Sequence, residues 1–124
     1  MLALTNEARV AAGLRTLAAD GRLADLAAAR SQDMGDRGYF SHTTPEGETL
    51  FAMLPARGIG YTSAGENIAL NSASPGATAR TAFSGWMNSP GHKANILREA
   101  FGRLGVGVYR TPAGKTYLTQ VFLD

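Results

Sequence analysis

The chain contains two histidines, His42 and His92, and no cysteine. Imidazole is the one side chain whose ordinary pKa lies near neutrality. The absence of cysteine excludes disulfides, thiolate chemistry and cysteine zinc sites. Each histidine lies beside a turn signal: His42 just before Thr44-Pro45, His92 just after Ser89-Pro90. Glu66 follows Gly65 at the head of a strand-like run. Two imidazoles and one carboxylate, His42, His92 and Glu66, would make a three-ligand zinc site with an open position. Imidazole also suits copper and nickel, so the donor set leaves the metal's identity open. A local role fits the same residues, each histidine satisfying backbone groups at a helix start, because no His-Glu-x-x-His pattern links them.

Ser89 has two readings. As a nucleophile beside His92 it would need an acid to orient the imidazole, and Glu66 could serve, but it stands in no Gly-x-Ser-x-Gly elbow. As an N-cap before Pro90 it would accept an orphan backbone N–H where the proline lacks one. Ser41 is a poor partner for His42, since neighbouring side chains on an extended segment point apart. Glu46 belongs in a first helical turn, where its charge favours the dipole; it or Glu48 could supplement a metal site. Trp86, the only tryptophan, reads as core, with ligand stacking as the alternative. Asn67 and Asn95 could bridge loops through side-chain hydrogen bonds.

These residues need elements to hold them. Residues 2–12 read as a helix with Leu4, Ala8 and Ala11 on one face, stopped by Gly13. Asp20 is the expected N-cap of a longer helix whose stripe is Leu23, Leu26, Ala27, Arg30 and Met34, ended by Gly35 and Gly38. Thr44-Pro45 predicts a short helix burying Leu50, Phe51 and Leu54. Period two places Glu66, Ile68 and Leu70 on one strand face, and a carboxylate heading an apolar face asks for a partner. Ser74-Pro75 predicts a helix presenting Ala79, Phe83, Trp86 and Met87, followed by the short helix of His92, Ile96 and Leu97. Residues 104–109 and 115–122 read as a hairpin across Pro112-Ala113-Gly114. The glycines that alternate with Val106 and Val108 would admit close packing on one face. Helices and strands that do not alternate favour α+β.

The bulk properties exclude several classes. The 124 residues suit one domain, 1–124, with its own core. Net charge is +2 with the basic residues scattered, so no nucleic-acid stripe is present. No apolar run reaches membrane-spanning length, and Asn6, Glu7 and Arg9 interrupt any signal-peptide pattern at the start.

Four motifs in order resemble the CAP superfamily of cysteine-rich secretory, antigen 5 and pathogenesis-related 1 proteins, in its bacterial SCP-like form. They are Phe40-Ser41-His42-Thr43-Thr44-Pro45-Glu46-Gly47, Gly65-Glu66-Asn67-Ile68-Ala69, the run from Trp86 to Leu97, and Gly105-Val106-Gly107-Val108. Asn6-Glu7-Ala8-Arg9, Gly13-Leu14 and Thr119-Gln120-Val121-Phe122 extend the likeness nearly end to end. The resemblance implies an exported three-layer α-β-α sandwich with a central, mainly antiparallel sheet. It implies a cavity where two histidines and two acids meet: His42, His92 and Glu66, with Ser89 at the offset where eukaryotic members carry the second acid.

The expected function is an extracellular or cell-envelope binding module, monomeric, with His42, Glu66, Asn67, Ser89 and His92 around the cavity and Ile68 and Trp86 as walls. A divalent metal, zinc first, is its expected cofactor. The ligand is a small molecule, lipid, peptide or cell-wall component. The alternatives are a metal-dependent protease or esterase using the same site, and a purely structural polar cluster.

Overall fold

A computed structural model describes all residues, 1–124. Helix α1 spans Leu2–Ala11, strand β1 Ala18–Ala19, α2 Gly21–Arg37, α3 Leu50–Ala56, β2 Ala64–Asn71, α4 Thr78–Met87, α5 Pro90–Ile96, β3 Arg103–Arg110 and β4 Thr116–Leu123. The four strands form one sheet in the order β1-β3-β4-β2. The β3–β4 hairpin and the β2–β4 pair are antiparallel, and only the two-residue β1, which the sequence reading did not find, runs parallel to its neighbour. Two helical layers cover this sheet, giving the α+β three-layer sandwich. On one side Leu23, Leu26 and Ala27 of α2 and Leu50 and Leu54 of α3 meet Val121 and Leu123. On the other, Ala82 and Trp86 of α4 and Ile96 of α5 pack with Phe101, Leu104, Leu118 and Phe122.

Helix α2 sits against the hairpin because Gly105 and Gly107 leave room for it. A Cβ on Gly107 would lie 2.1 Å from the Ala28 nitrogen, and one on Gly105 2.1 Å from the Leu23 carbonyl carbon. With both faces covered, all eight residues of β4 are buried. Its polar members are satisfied in place: the Thr119 and Ser31 hydroxyls pair at 2.7 Å, and Gln120 Nε2 donates to Thr5 Oγ1 at 2.9 Å. Asp20 caps α2 by accepting from the Arg22 amide, and Gly38 ends it in the left-handed region. Every member of the expected α2 stripe is buried.

The structure corrects five local expectations. Thr44-Pro45 opens no helix: Thr44 to Glu48 is a tight turn closed by the Thr44 N–H to the Glu48 carbonyl, with Gly47 at φ +90°, and α3 starts after Thr49. Proline preorganises a turn as readily as a first helical position. Ser74-Pro75 likewise belongs to a turn, and α4 begins at Thr78. The residues α1 buries fully are Thr5 and Arg9; Leu4 and Ala8 are half-buried, Ala8 against the core, and Ala11 is exposed. Arg9 is fully buried because its guanidinium donates to the carbonyls of Arg15, Ile96, Arg98 and Phe101, filling the acceptors at the end of α5. Phe51 and Leu70 point outward, 53% and 38% exposed, so α3 buries only Leu50 and Leu54. Gly35 does not end α2; it lies within the helix under the Tyr109 ring.

Candidate functional site

The site lies along the free edge of the sheet, where β2 has no strand beyond it. Side chains occupy that edge instead. The Ile68 carbonyl accepts from the Trp86 indole N–H at 2.9 Å, and the Glu66 carbonyl accepts from Asn95 Nδ2 at 3.3 Å. Capping edge carbonyls this way blocks strand addition and moors α4 and α5 to β2. Alternation along β2 then sends successive side chains to opposite faces. Glu66 faces α2, whereas Asn67 faces α5. Asn67 Nδ2 donates to the His92 carbonyl at 3.1 Å and to Gln120 Oε1 at 3.2 Å, and Asn67 Oδ1 accepts from Asn95 at 2.9 Å. Asn67 and Asn95 thus do bridge segments, fixing the first turn of α5 to the sheet.

The partner that a buried Glu66 requires is Arg30, from the middle of α2. Arg30 Nε and Nη2 lie 2.9 and 3.2 Å from the two carboxylate oxygens, a bidentate pair almost fully removed from water. The same guanidinium donates to the Ser41 carbonyl at 2.8 Å and to the Tyr39 hydroxyl at 3.1 Å, fixing the segment just before His42. His42 Nδ1 is 2.8 Å from Glu66 Oε1, while its ring is 56% exposed. An ionised carboxylate only accepts, so Nδ1 carries the proton in that bond, and the neutral ring keeps its lone pair on Nε2. Burial would raise the Glu66 pKa, but the hydrogen bonds from His42 and Arg30 and the Arg30 charge outweigh it and hold the carboxyl below its usual value.

Ser89 occupies the N-cap position of α5 but makes no side-chain cap. Its Oγ lies instead 2.8 Å from His92 Nδ1. Ser89 therefore orients the second imidazole, as Glu66 orients the first. Burial, then the charge of nearby His42, lowers the His92 pKa.

A recess of about 260 Å³ opens beside this pair, lined by His42, Glu66 and Asn95 with Leu50 and Phe51. His92 lies near enough to feel the His42 charge but outside that lining. Trp86, expected as a wall, is 3% exposed in the core and Ile68 is buried as well, so neither forms a wall of the recess. Glu46 is held by Arg37 and faces away with Glu48 into a separate hollow. No group of three His, Cys, Asp or Glu side chains is gathered closely enough to hold a metal ion. Glu66 in particular gives both oxygens to Arg30 and His42.

Arg30 is the functional residue the sequence reading missed, and its signal was visible: an arginine inside an apolar helical stripe must have a buried partner.

A mainly antiparallel sheet between two helical layers, with two oriented histidines and a buried acid at its edge, defines the SCP-like class of α-β-α sandwich. The chain belongs to the CAP family, the cysteine-rich secretory protein family, whose model matches residues 2–122. It is 43% identical over 104 residues to the Bacillus subtilis protein YkwD, covering 84% of this chain and 39% of that protein. It is 38% identical over 123 residues to the Bacillus subtilis membrane protein YlbC, covering 99% and 33%. The crystal structure of an extracellular protein containing an SCP domain from Bacillus anthracis superimposes with a TM-score of 0.87 at 41% identity, covering 99% of this chain and 38% of that one. The chain therefore spans well under half the length of these relatives. No helix is long and apolar enough to cross a membrane.

Proposed function

We propose that this domain is the ligand-binding module of an extracellular or envelope protein, and that the recess at His42 holds a small molecule, peptide, lipid or cell-wall component. The observation that carries the reading is the solvent-facing His42 ring, oriented from behind by the buried Glu66–Arg30 pair. A structural histidine needs no such backing, whereas a binding group gains from a preset orientation. A similar extracellular SCP-containing protein supports the location.

The same geometry leaves no carboxylate to act as general base: Glu66 is the only one lining the recess, and both its oxygens are engaged, so the Nε2 lone pair of His42 is the one basic group presented to a ligand. Glu66 is engaged by Arg30 and His42, so a divalent cation, zinc first, would have only the two imidazoles as protein ligands and water for the rest of its shell, with Glu66 and Ser89 orienting the rings rather than ligating. Such an ion would supply a Lewis acid for an oxygen of the ligand.

Calorimetric titration with zinc tests the metal-binding half of this reading. Weak binding is expected in the wild type and none in His42→Ala or His92→Ala; equal binding by all three would remove the histidines from it. Incubation with casein and ester substrates, with and without chelator, tests the binding half. No turnover is expected, and chelator-sensitive turnover would replace the module with a hydrolase.

A further inference from the structure

A second hollow lies on the far side of the Arg30–Glu66 pair, between α2, the Thr44–Glu48 turn and α3. Its volume is about 390 Å³, within the range of roughly 300–1,000 Å³ typical of small-molecule sites, whereas the His42 recess falls below it. The floor is apolar: Leu26 and Ala29 of α2, Met53 and Ala56 of α3. The wall carries three arginines and three carboxylates. Four of these six charges are committed to partners within the chain. Arg30 is held by Glu66, and Arg37 bridges Asp33 and Glu46. Glu48 and Arg57 are left: no side-chain hydrogen bond or ion pair engages either, and they are not paired with each other. The hollow thus offers one free anion and one free cation over an apolar floor, in a wall otherwise neutralised.

We infer that this hollow is a binding site for a zwitterionic ligand of the amino-acid or short-peptide class, its ammonium group taken by Glu48 and its carboxylate by Arg57. Arginine suits the carboxylate end because its planar fork donates to both oxygens. Small apolar side chains of the ligand would rest on Met53 and Ala56. The site is separate from the His42 recess: the two share no lining residue, and the Arg30–Glu66 pair stands between them, Arg30 lining one and Glu66 the other.

Titration of the 124-residue chain with the dipeptide Ala-Ala, followed by amide NMR shifts and calorimetry, tests the inference. Saturable binding is expected, with the shifts confined to α2 from Leu26 onward, the Thr44–Glu48 turn and α3 with Arg57. Glu48→Gln and Arg57→Gln should each weaken it about tenfold or more, as loss of one charge-assisted hydrogen bond implies. The N-acetylated, C-amidated dipeptide should bind weakly or not at all, and His42→Ala should bind like the wild type. Both test residues are exposed, so the variants keep the fold, which far-ultraviolet circular dichroism verifies. Absence of saturable binding would overturn the inference. So would binding unchanged in both variants, or equal binding of the blocked dipeptide.

Discussion

Arg30 and Glu66, 36 positions apart, face each other at 2.9 Å with 2% and 4% of their side chains exposed. This contact ties α2 to β2 and aims His42 outward. Removing one partner of such a pair strands a buried charge, at a cost of about 3–5 kcal/mol. Glu66→Leu and Arg30→Met should each lower unfolding free energy by that order in urea denaturation. The double variant should recover much of the loss, because no charge is then left unpaired. Additive losses would show that the two residues act independently.

The depressed Glu66 carboxyl makes a signed prediction. A group whose folded pKa lies below its unfolded value stabilises the fold above the unfolded value, about 4.3. That stability is lost as pH falls through the folded pKa. Asp20, Asp33, Glu46 and Asp124 are also held low, through hydrogen bonds from Arg22, Arg37, Arg37 and the Thr62 amide. The carboxylates should therefore add no pH dependence near neutrality and should lower stability below about pH 4.5. The fall should be shallower in Glu66→Gln. Identical acid slopes in the two proteins would contradict the assignment.

His92 titrates in the opposite chemical sense. Burial and the neighbouring His42 disfavour its charged form, so its ring should titrate below the free value of about 6.5 in an NMR pH series. Between that value and the folded pKa the unfolded chain binds more protons, and stability should drop as pH falls through the window. In His42→Ala the midpoint should rise part of the way back, because burial remains. A midpoint at the free value in the wild type would show the ring to be fully solvated.

The fit of α2 onto the hairpin is tight enough to forbid a methyl group. Gly107→Ala should cost about 3 kcal/mol or more, since the added carbon meets helix backbone and not a movable side chain. Gly21→Ala, at the open start of α2, should be neutral or slightly stabilising. Thermal denaturation of both variants separates close packing from a general intolerance of glycine replacement.

Arg9 closes the end of the helix that carries His92. Arg9→Met keeps the apolar stem but removes every donor to the four carbonyls, and should lower stability by about 2–4 kcal/mol. Hydrogen exchange in α5 should quicken more than in α2. Equal acceleration in both helices would mean that Arg9 supports the core at large rather than this helix end.

Local pattern alone determined a good part of this molecule. The α2 stripe, the Asp20 cap, the terminal hairpin with its glycines, and His42, Glu66 and His92 as the residues to watch all follow from spacing and residue type. Period and capping are properties of neighbours in the chain, so they are written in consecutive letters. Tertiary structure decided what those residues touch. Arg30 could be seen as an anomaly in its stripe, but its partner lies on another element. Ser89 could be seen as a cap, but its hydroxyl turns to His92 once Asn67 has fixed the turn of α5. Thr44-Pro45 and Ser74-Pro75 show the converse, since serine or threonine before proline is equally good at starting a helix or making a turn. Which one forms depends on whether apolar residues downstream find a surface to bury against, and that surface exists only when the sheet and its two helical layers have assembled.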